Sequence, residues 1–510
     1  MVCVGPHYKL RPSTTVGLTL TSMLFLAGCP AAEEEETGGA GDTGGGLSGT
    51  VGTPATSADD GPSTPGDGTH GGTAGTTGST PTPPGDGDGF DDGPVVFDVD
   101  GFPDYKNPGM PGPGSCRASE IYGAAGGFPE FSDPAYTNFL DRTVAIVTHR
   151  TQSPTTHVMT ILDISGDAPP PEVNYLAPRY WQNQWTEATL GRIFGLTLDS
   201  YGNIFVAATT VYGANPQPDK IRRIDGVTGA VTDFATLPNN GPALGNLNYD
   251  CVSESIYVSN HEDGRIYQLD VNGDVVSTYH HATGDVTIGP ANDPGEPDGQ
   301  FAPLGERVWA VQSHAGRLYY SVWWEHSQAI NPTMDNEIWS VGYTDESGVP
   351  DPTTAQKEFD VPTNNGTTSV PVSDLSFAHD GWMLIAQRTM NSDMSTGAHQ
   401  STTYDYDYVA GSWVWQGTNY VVGELLPYSA AGGVDHDFDP DGYVWMTGDA
   451  LDFYTPDVVY GLQGTPYGGG GISTSTLIDL DAEIVSQDKT VYGDVELPIP
   501  GDATPVPPPG

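Results

Sequence analysis

Basic side chains are scarce in this sequence. Only 17 of its 510 residues are lysine or arginine, against 66 aspartate and glutamate residues, and the formal net charge is −49. A surface with this charge repels phosphate backbones and anionic lipid headgroups. Nucleic acid is therefore excluded as an expected partner. The acidity is interpreted first as a source of solubility, with cation binding as the alternative.

Complete catalytic motifs are also missing. The sequence has no G-x-S-x-G nucleophile elbow, no H-E-x-x-H zinc motif, no C-x-x-C pair and no P-loop Gly-Lys pair. The enzyme classes that these motifs mark are therefore not expected.

The N-terminal apolar stretch of the sequence, Val16–Leu26, is shorter than the roughly 20 residues that a membrane-spanning helix needs.

The N-terminus has the organisation of an export signal, with Lys9 and Arg11 ahead of the apolar stretch and small residues behind it. Leu26-Ala27-Gly28-Cys29 resembles the lipobox of bacterial lipoproteins. This resemblance implies a signal peptide at 1–28, lipid on Cys29 and anchoring in the bacterial cell envelope. Pro30 is not the Asp associated with inner-membrane retention, which favours the outer membrane and leaves the leaflet, periplasmic or surface, open.

Cysteine occurs only four times. Cys3 would leave with the signal peptide and Cys29 would carry the lipid, so Cys116 and Cys251 remain. Two cysteines in an exported protein predict a disulfide, here between the start of the globular region and an interior repeat. Two separate buried thiols are the alternative.

Residues 29–114 are rich in Gly, Thr, Pro, Ser and Asp, which predicts a disordered acidic linker. Two of its runs, GDGDGFDDG (85–93) and DVDGFPD (98–104), are similar to calcium-binding loops but lack the closing Glu. A plain solvated linker is the competing interpretation. The Pro-rich end, 498–510, is predicted to be a loose tail.

One sequence pattern recurs between residues 115 and 497. Its clearest copy, GLTLDSYGNIFVAATTVY (195–212), predicts a strand, a Gly-centred turn and a second strand. The other copies begin near Arg142, Gly245, Arg307, Val372 and Gly433. A short unit repeating every 50 to 65 residues or so must stack on its neighbours. The sequence therefore predicts an all-β fold, a β-propeller of six blades with seven as the alternative, and a closing strand within Ile484–Leu497.

The segments LDSYGNIFVA and FDPDGYVWM resemble the NHL, YWTD and gluconolactonase (regucalcin-like) group of six-bladed propellers. The resemblance covers roughly residues 142–481 and implies the fold. Its gluconolactonase members hold a catalytic divalent metal in the central channel. This sequence shows no match to their metal-binding Glu in the first blade.

Aligning the turn glycines makes five inner-strand positions equivalent: Gly195, Asn246, Trp309, Asp374 and Asp435. Asn246, Asp374 and Asp435 are therefore predicted to line the channel at a similar depth. Mixed amide and carboxylate oxygens suit Ca²⁺. The alternative is structural, because such side chains can instead hydrogen-bond strand amides of neighbouring blades.

Two further groups are candidate sites. Asp437, Asp439 and Asp441 match the opening half of an EF-hand calcium loop, but Gly448 stands where the closing Glu belongs, so an ordinary β-turn is the alternative. The candidate binding residues are His261, His436, Trp323 and Trp324. Three of them fall in predicted loops, where binding groups concentrate, and His436 adjoins the predicted channel residue Asp435 without being needed by the turn.

Two functions follow from these observations. The first is a lipid-anchored cell-envelope propeller that binds an unidentified ligand or protein without catalysis. The alternative is a lactonase-like hydrolase that depends on a divalent metal held by Asn246, Asp374 and Asp435.

Overall fold

The structure, a computed structural model, describes these residues: 127–151, 153–165, 174–325, 334–362, 368–378, 382–417, 420–424, 428–437, 442–452, 458–480 and 492–498. The predicted signal peptide and linker lie outside them, as do the last twelve residues. No helix within the described residues is long and apolar enough to cross a membrane.

Strands dominate the described chain. The first eight strands along the chain are Val144–His149 (β1), Met159–Asp163 (β2), Asn174–Tyr175 (β3), Arg179–Tyr180 (β4), Ile193–Leu198 (β5), Ile204–Ala208 (β6), Lys220–Ile224 (β7) and Val231–Thr236 (β8). The next are Leu244–Asp250 (β9), Ser255–Asn260 (β10), Arg265–Leu269 (β11), Val275–His280 (β12), Asp285–Ile288 (β13), Val308–His314 (β14), Arg317–Val322 (β15), Asn336–Gly342 (β16) and Gln356–Val361 (β17). The last are Val372–Phe377 (β18), Met383–Gln387 (β19), Met390–Ser392 (β20), Ser395–Thr396 (β21), Thr403–Val409 (β22), Ser412–Gly417 (β23), Ala430–His436 (β24), Tyr443–Asp452 (β25), Val459–Pro466 (β26), Thr476–Asp479 (β27) and Tyr492–Glu496 (β28).

Helical segments are short. They are the helix Glu187–Leu190 (α1) and the 3-10 turns Pro134–Phe139, Pro352–Thr354 and Ile472–Thr474.

Six main sheets make six blades. Blade 1 is β28-β1-β2-β4, blade 2 is β5 to β8, blade 3 is β9 to β13, blade 4 is β14 to β17, blade 5 is β18-β19-β22-β23, and blade 6 is β24 to β27 with β3. The inner strands β5, β9, β14, β18, β24 and β28 each contact the next, and β28 returns to β5. The ring is therefore closed, and the prediction of a six-bladed β-propeller is confirmed.

The ring closes through a strand from the far end of the chain. β28 pairs antiparallel with β1 and becomes the inner strand of blade 1. The repeat copy near Arg142 therefore starts with a second strand, not an inner one. β3 adds a parallel outer strand to β27 in blade 6, so the two ends of the described chain are tied together at two places.

Apolar side chains from adjacent blades form the core. In β6, Ile204 and Val206 pack with residues of blade 1, whereas Phe205 and Ala207 pack with residues of blade 3. This alternation is what a strand buried on both faces requires. Each blade is thus held by apolar contact on both sides.

Gly432 lies on the inner strand of blade 6 where a side chain would not fit. Its φ is +102°, and a Cβ there would lie 2.5 Å from Ser373 Oγ and 3.1 Å from Phe194 Cζ. We expect Gly432→Ala to lower the unfolding free energy by about 1 to 3 kcal/mol, because it combines backbone strain with overpacking. Gly468→Ala is the matched control, since a Cβ there meets nothing within 4 Å. Equal melting temperatures for the two variants in scanning calorimetry would contradict this reading.

Candidate functional site

Three polar side chains from different blades meet inside the central channel. Asn246 Nδ2 of blade 3 donates hydrogen bonds to Asp374 Oδ1 and Ser373 O of blade 5, both at 3.1 Å. The carboxyl groups of Asp374 and Asp494 hydrogen-bond each other, and Asp494 also contacts the Asn246 side chain. We call Asn246, Asp374 and Asp494 the channel triad. Its members are at most 4% exposed.

Of the three residues predicted to line the channel at a similar depth, Asn246 and Asp374 are in contact in the structure. Asp435 lies on the same set of inner strands but has different partners, because Ser376 Oγ donates to its Oδ1 at 2.8 Å and Leu497 N donates to its Oδ2 at 2.7 Å. The third place beside Asn246 and Asp374 is taken by Asp494 of the closing strand.

The channel carboxylates also clamp the blades to one another. Asp374 Oδ2 accepts from Val434 N of blade 6 at 2.8 Å, and Asp494 Oδ2 accepts from Leu196 N of blade 2 at 3.0 Å. Asp435 does the same between blades 6 and 1 through Leu497 N. The structural role given above as the alternative is thus present, and it coexists with the convergence of the triad.

Asp494 and Glu496 are channel residues that the sequence alignment missed. They stand at alternate positions of the closing strand, Tyr-Gly-Asp-Val-Glu, which places both on one face. That period-two spacing of acids in the predicted closing strand was the signal that would have found them.

Four buried carboxyl groups share this channel: Asp374, Asp435, Asp494 and Glu496. Burial raises the pKa of Asp435 to about 7 and that of Asp494 to about 6. Burial, and then the charges of neighbouring channel carboxylates, raises the pKa of Asp374 and Glu496 well above the ordinary value. None of the ion pairs among the described residues involves any of the four. At neutral pH they therefore need protons or a cation.

Large apolar side chains cluster at the end of the propeller where the inner strands begin. Phe194 and Trp309 meet edge to face with ring centroids 5.4 Å apart, and Tyr212, Trp323 and Met390 pack with them. We call these five residues the aromatic layer. All are at most 6% exposed.

The ring of Phe194 lies close to inner strands of several other blades. A Cβ on Gly432 of blade 6 or on Gly493 of blade 1 would lie 3.1 and 3.2 Å, respectively, from atoms of that ring. Small residues on these two strands therefore leave the space that the ring of blade 2 fills. The layer therefore adjoins the triad, since Gly493 directly precedes Asp494.

A buried charge pair lies beside the aromatic layer. Arg388 Nη1 donates to Tyr492 O at 3.0 Å and lies 3.8 Å from Asp449 Oδ2, and neither side chain is exposed. Burial raises the pKa of Asp449 to about 8, although the Arg388 charge acts in the opposite direction. Both oxygens of Asp449 lack a hydrogen bond to any described residue. The sequence patterns do not reveal this pair, because Arg388 follows β19 in blade 5 and Asp449 lies within β25 in blade 6.

The predicted binding residues lie deeper than loop residues usually do. His261 is 1% exposed and its ring meets Trp309 at 5.3 Å; burial lowers its pKa to about 3, so it is neutral. His436 Nδ1 and Ser376 Oγ are 2.8 Å apart. Trp323 is also buried and Trp324 is partly exposed. Their role in binding stays a prediction.

Several predicted sites fall partly outside the described residues. Asp437 is partly buried, whereas Asp439 and Asp441 are not described. Cys29 and Cys116 are not described either, and Cys251 is buried. Lipidation and the disulfide therefore remain predictions.

A second acidic group, which the sequence did not suggest, lies on blade 3 and its following loop. Glu262, Glu296 and Asp298 each offer a carboxylate oxygen within 4.8 Å of the others. Glu262 is buried and the other two are exposed. Among the described residues this is the one group of three acidic, His or Cys side chains with metal-ligand spacing.

Comparison with known proteins gives similarity of fold only. No family model matches the chain, and no curated protein matches it. A chain of a nidogen/laminin complex is 10% identical over 70% of this chain and 98% of that chain, with a TM-score of 0.37. A putative 6-phosphogluconolactonase from Bacteroides fragilis is 12% identical over 72% and 99%, with a TM-score of 0.37. A streptogramin B lyase is 13% identical over 56% and 68%, with a TM-score of 0.28.

Proposed function

We propose that this protein is a lipid-anchored binding module of the bacterial cell envelope whose propeller holds one divalent cation, Ca²⁺, in its central channel. The observation that carries the cation is the channel triad, where an amide and two carboxyl groups from blades 3, 5 and 1 converge without a basic partner among the described residues. The anchor rests on the lipobox that ends at Cys29.

The chemistry of the triad fits the cation. Two carboxyl groups in hydrogen-bond contact must share a proton or neutralise a cation, because two buried like charges repel. Carboxylate and amide oxygens are the ligands that Ca²⁺ prefers. Asn246, Asp374 and Asp494 would hold the ion, and Ca²⁺ would then link the inner strands of three alternate blades of the ring.

Burial favours binding over catalysis. A lactonase-like hydrolase would have to admit a substrate to the metal, and the triad is at most 4% exposed beneath the aromatic layer. In the proposed function the ion stabilises the scaffold, and ligands bind on the outside of the blades.

Calorimetric titration of Ca²⁺ into the chelator-treated protein tests the proposal. We expect one high-affinity site, and at least about tenfold weaker binding in Asp374→Asn and Asp494→Asn, because each substitution removes a charged ligand. Glu296→Gln, which alters the surface acidic group, is the matched control and should leave that site unchanged. Loss of Ca²⁺ binding in Glu296→Gln, with full binding in Asp374→Asn, would overturn the channel assignment.

A further inference from the structure

A surface pocket lies between blades 2 and 3, at the end of the propeller where the inner strands finish. Its volume is about 210 Å³. It is lined by the turn that follows β5, the turn that follows β9 and the turn that follows β11. It is therefore at the opposite end of the channel from the aromatic layer and shares no residue with the triad.

The polar walls of the pocket are mainly anionic. The carboxylates of Asp199, Glu254 and Asp270 line it, against the single guanidinium of Arg223. Arg223 is already paired with Asp225, at 3.6 Å, outside the lining. The remaining charge of the pocket is thus negative, which favours a cationic ligand.

Glu254 is the carboxylate best placed to meet a ligand. Asp199 and Asp270 accept hydrogen bonds from backbone amides of their own turns, which fixes them as immobile negative charges. Glu254 makes no hydrogen bond or ion pair to a described residue, and it is held at a φ of +49° at the pocket edge. Its carboxylate remains available to a bound cation.

The rest of the lining is aromatic and apolar. Phe205 and Phe234 meet edge to face with centroids 4.7 Å apart, and Tyr249 and Ile256 are buried in the floor. Tyr201, 52% exposed, stands at the rim. Aromatic faces attract cations as well as apolar groups, so this lining suits a cation with an apolar body better than a hydrated metal ion.

We infer that this pocket binds an organic ammonium group, carried either by a free small molecule or by a lysine side chain of a partner protein. The ammonium faces Glu254, Asp199 and Asp270, and its carbon substituents contact Tyr201 and Phe234. The cavity is of the size of a single small headgroup or side-chain end. The site is independent of the Ca²⁺ proposed for the channel.

Choline is the probe for the test, with 3,3-dimethyl-1-butanol as its neutral isostere. Calorimetric titration at physiological ionic strength should give one saturable choline site, and binding of the isostere at least about tenfold weaker. Tyr201→Ala and Glu254→Gln should each weaken choline binding by about fivefold or more. Asp345→Asn removes a carboxylate from an exposed turn of blade 4 and is the matched control. Circular dichroism confirms that each variant is folded.

Two further measurements identify the source of the ammonium group and test whether this site is independent of the channel. Nα-acetyl-lysine methylamide binding more tightly than choline would indicate a protein side chain, and the reverse order a free quaternary ammonium. Asp374→Asn should keep full choline binding, so the two proposals can fail separately. Equal binding of choline and its isostere, or no saturable heat, would overturn the site. Equal weakening in Asp345→Asn and Glu254→Gln would also overturn it, because such a result would reflect only the net charge of −49.

Discussion

A chain that stops before Tyr492 is expected not to fold cooperatively. β28 is the inner strand of blade 1, so its removal leaves β1 without a partner on one side and opens the ring. Val495 and Leu497 are fully buried, and the burial of each contributes about 1.5 to 3 kcal/mol. The truncation also removes the hydrogen bonds between β1 and β28 and the bond from Leu196 N to Asp494. The total loss is comparable with the whole unfolding free energy of a domain, roughly 5 to 15 kcal/mol.

Thermal unfolding followed by circular dichroism measures this effect. The control is a chain that ends after Pro498, which lacks only residues outside the described part and should melt like the full chain. A synthetic peptide covering 492–498, added in trans, should restore part of the transition of the shorter chain. A sharp, unchanged transition in the chain without β28 would show that the propeller does not depend on this closure.

The stability of the cation-free protein is expected to fall as pH rises from about 6.5 to 8.5. The channel carboxyls have folded-state pKa values raised above their unfolded values, by burial first, with Asp435 at about 7 and Asp374 and Glu496 well above the ordinary range. The folded state then holds more protons than the unfolded state, so raising the pH favours unfolding. Each carboxyl that stays protonated in the folded state lowers the unfolding free energy by about 1.4 kcal/mol per pH unit. The total loss across the window is several kcal/mol.

This pH window avoids the opposing effect of the histidines. Burial lowers the pKa of His149, His261 and His314 to about 3. Their contribution to stability therefore grows as pH rises towards their unfolded pKa of about 6.5, and it does not change further above that pH. Urea unfolding in chelator across the window measures the loss. Added Ca²⁺ should reduce the loss, and Asp435→Asn should make it smaller. Stability that is constant or rising across the window would contradict the account of the channel.

The repeated turn made the fold predictable, because Asp199 and Gly202 form the same short link between strands that recurs around the ring. The channel positions of Asn246 and Asp374 were equally predictable, since they follow from counting along strands of equal length. The alignment placed Asp435 with them because it counted back from the turn glycine and assumed turns of equal length. Five residues separate the paired Asp437 and Tyr443 of blade 6, whereas three separate Ala378 and Trp382 of blade 5. The longer turn changes which residue of β24 lies opposite Asp374.

The other parts of the site could not be found in the same way. Asp494 joins the triad only through ring closure, which brings residues 298 positions apart, Leu196 and Asp494, into contact. The pair of Arg388 and Asp449 joins a residue just after β19 in blade 5 to a residue within β25 in blade 6. The loop position of His261 suggested exposure, but Trp309 and Trp323 of the next blade cover it.

The position of the cation tests the channel assignment most directly. A crystal of the chelator-treated protein soaked with Mn²⁺ or Tb³⁺, which substitute for Ca²⁺ and scatter anomalously, would locate it. We expect an anomalous peak in the channel within bonding distance of oxygens of Asp374 and Asp494. A channel without a peak, with the only peak beside Glu262, Glu296 and Asp298, would contradict it.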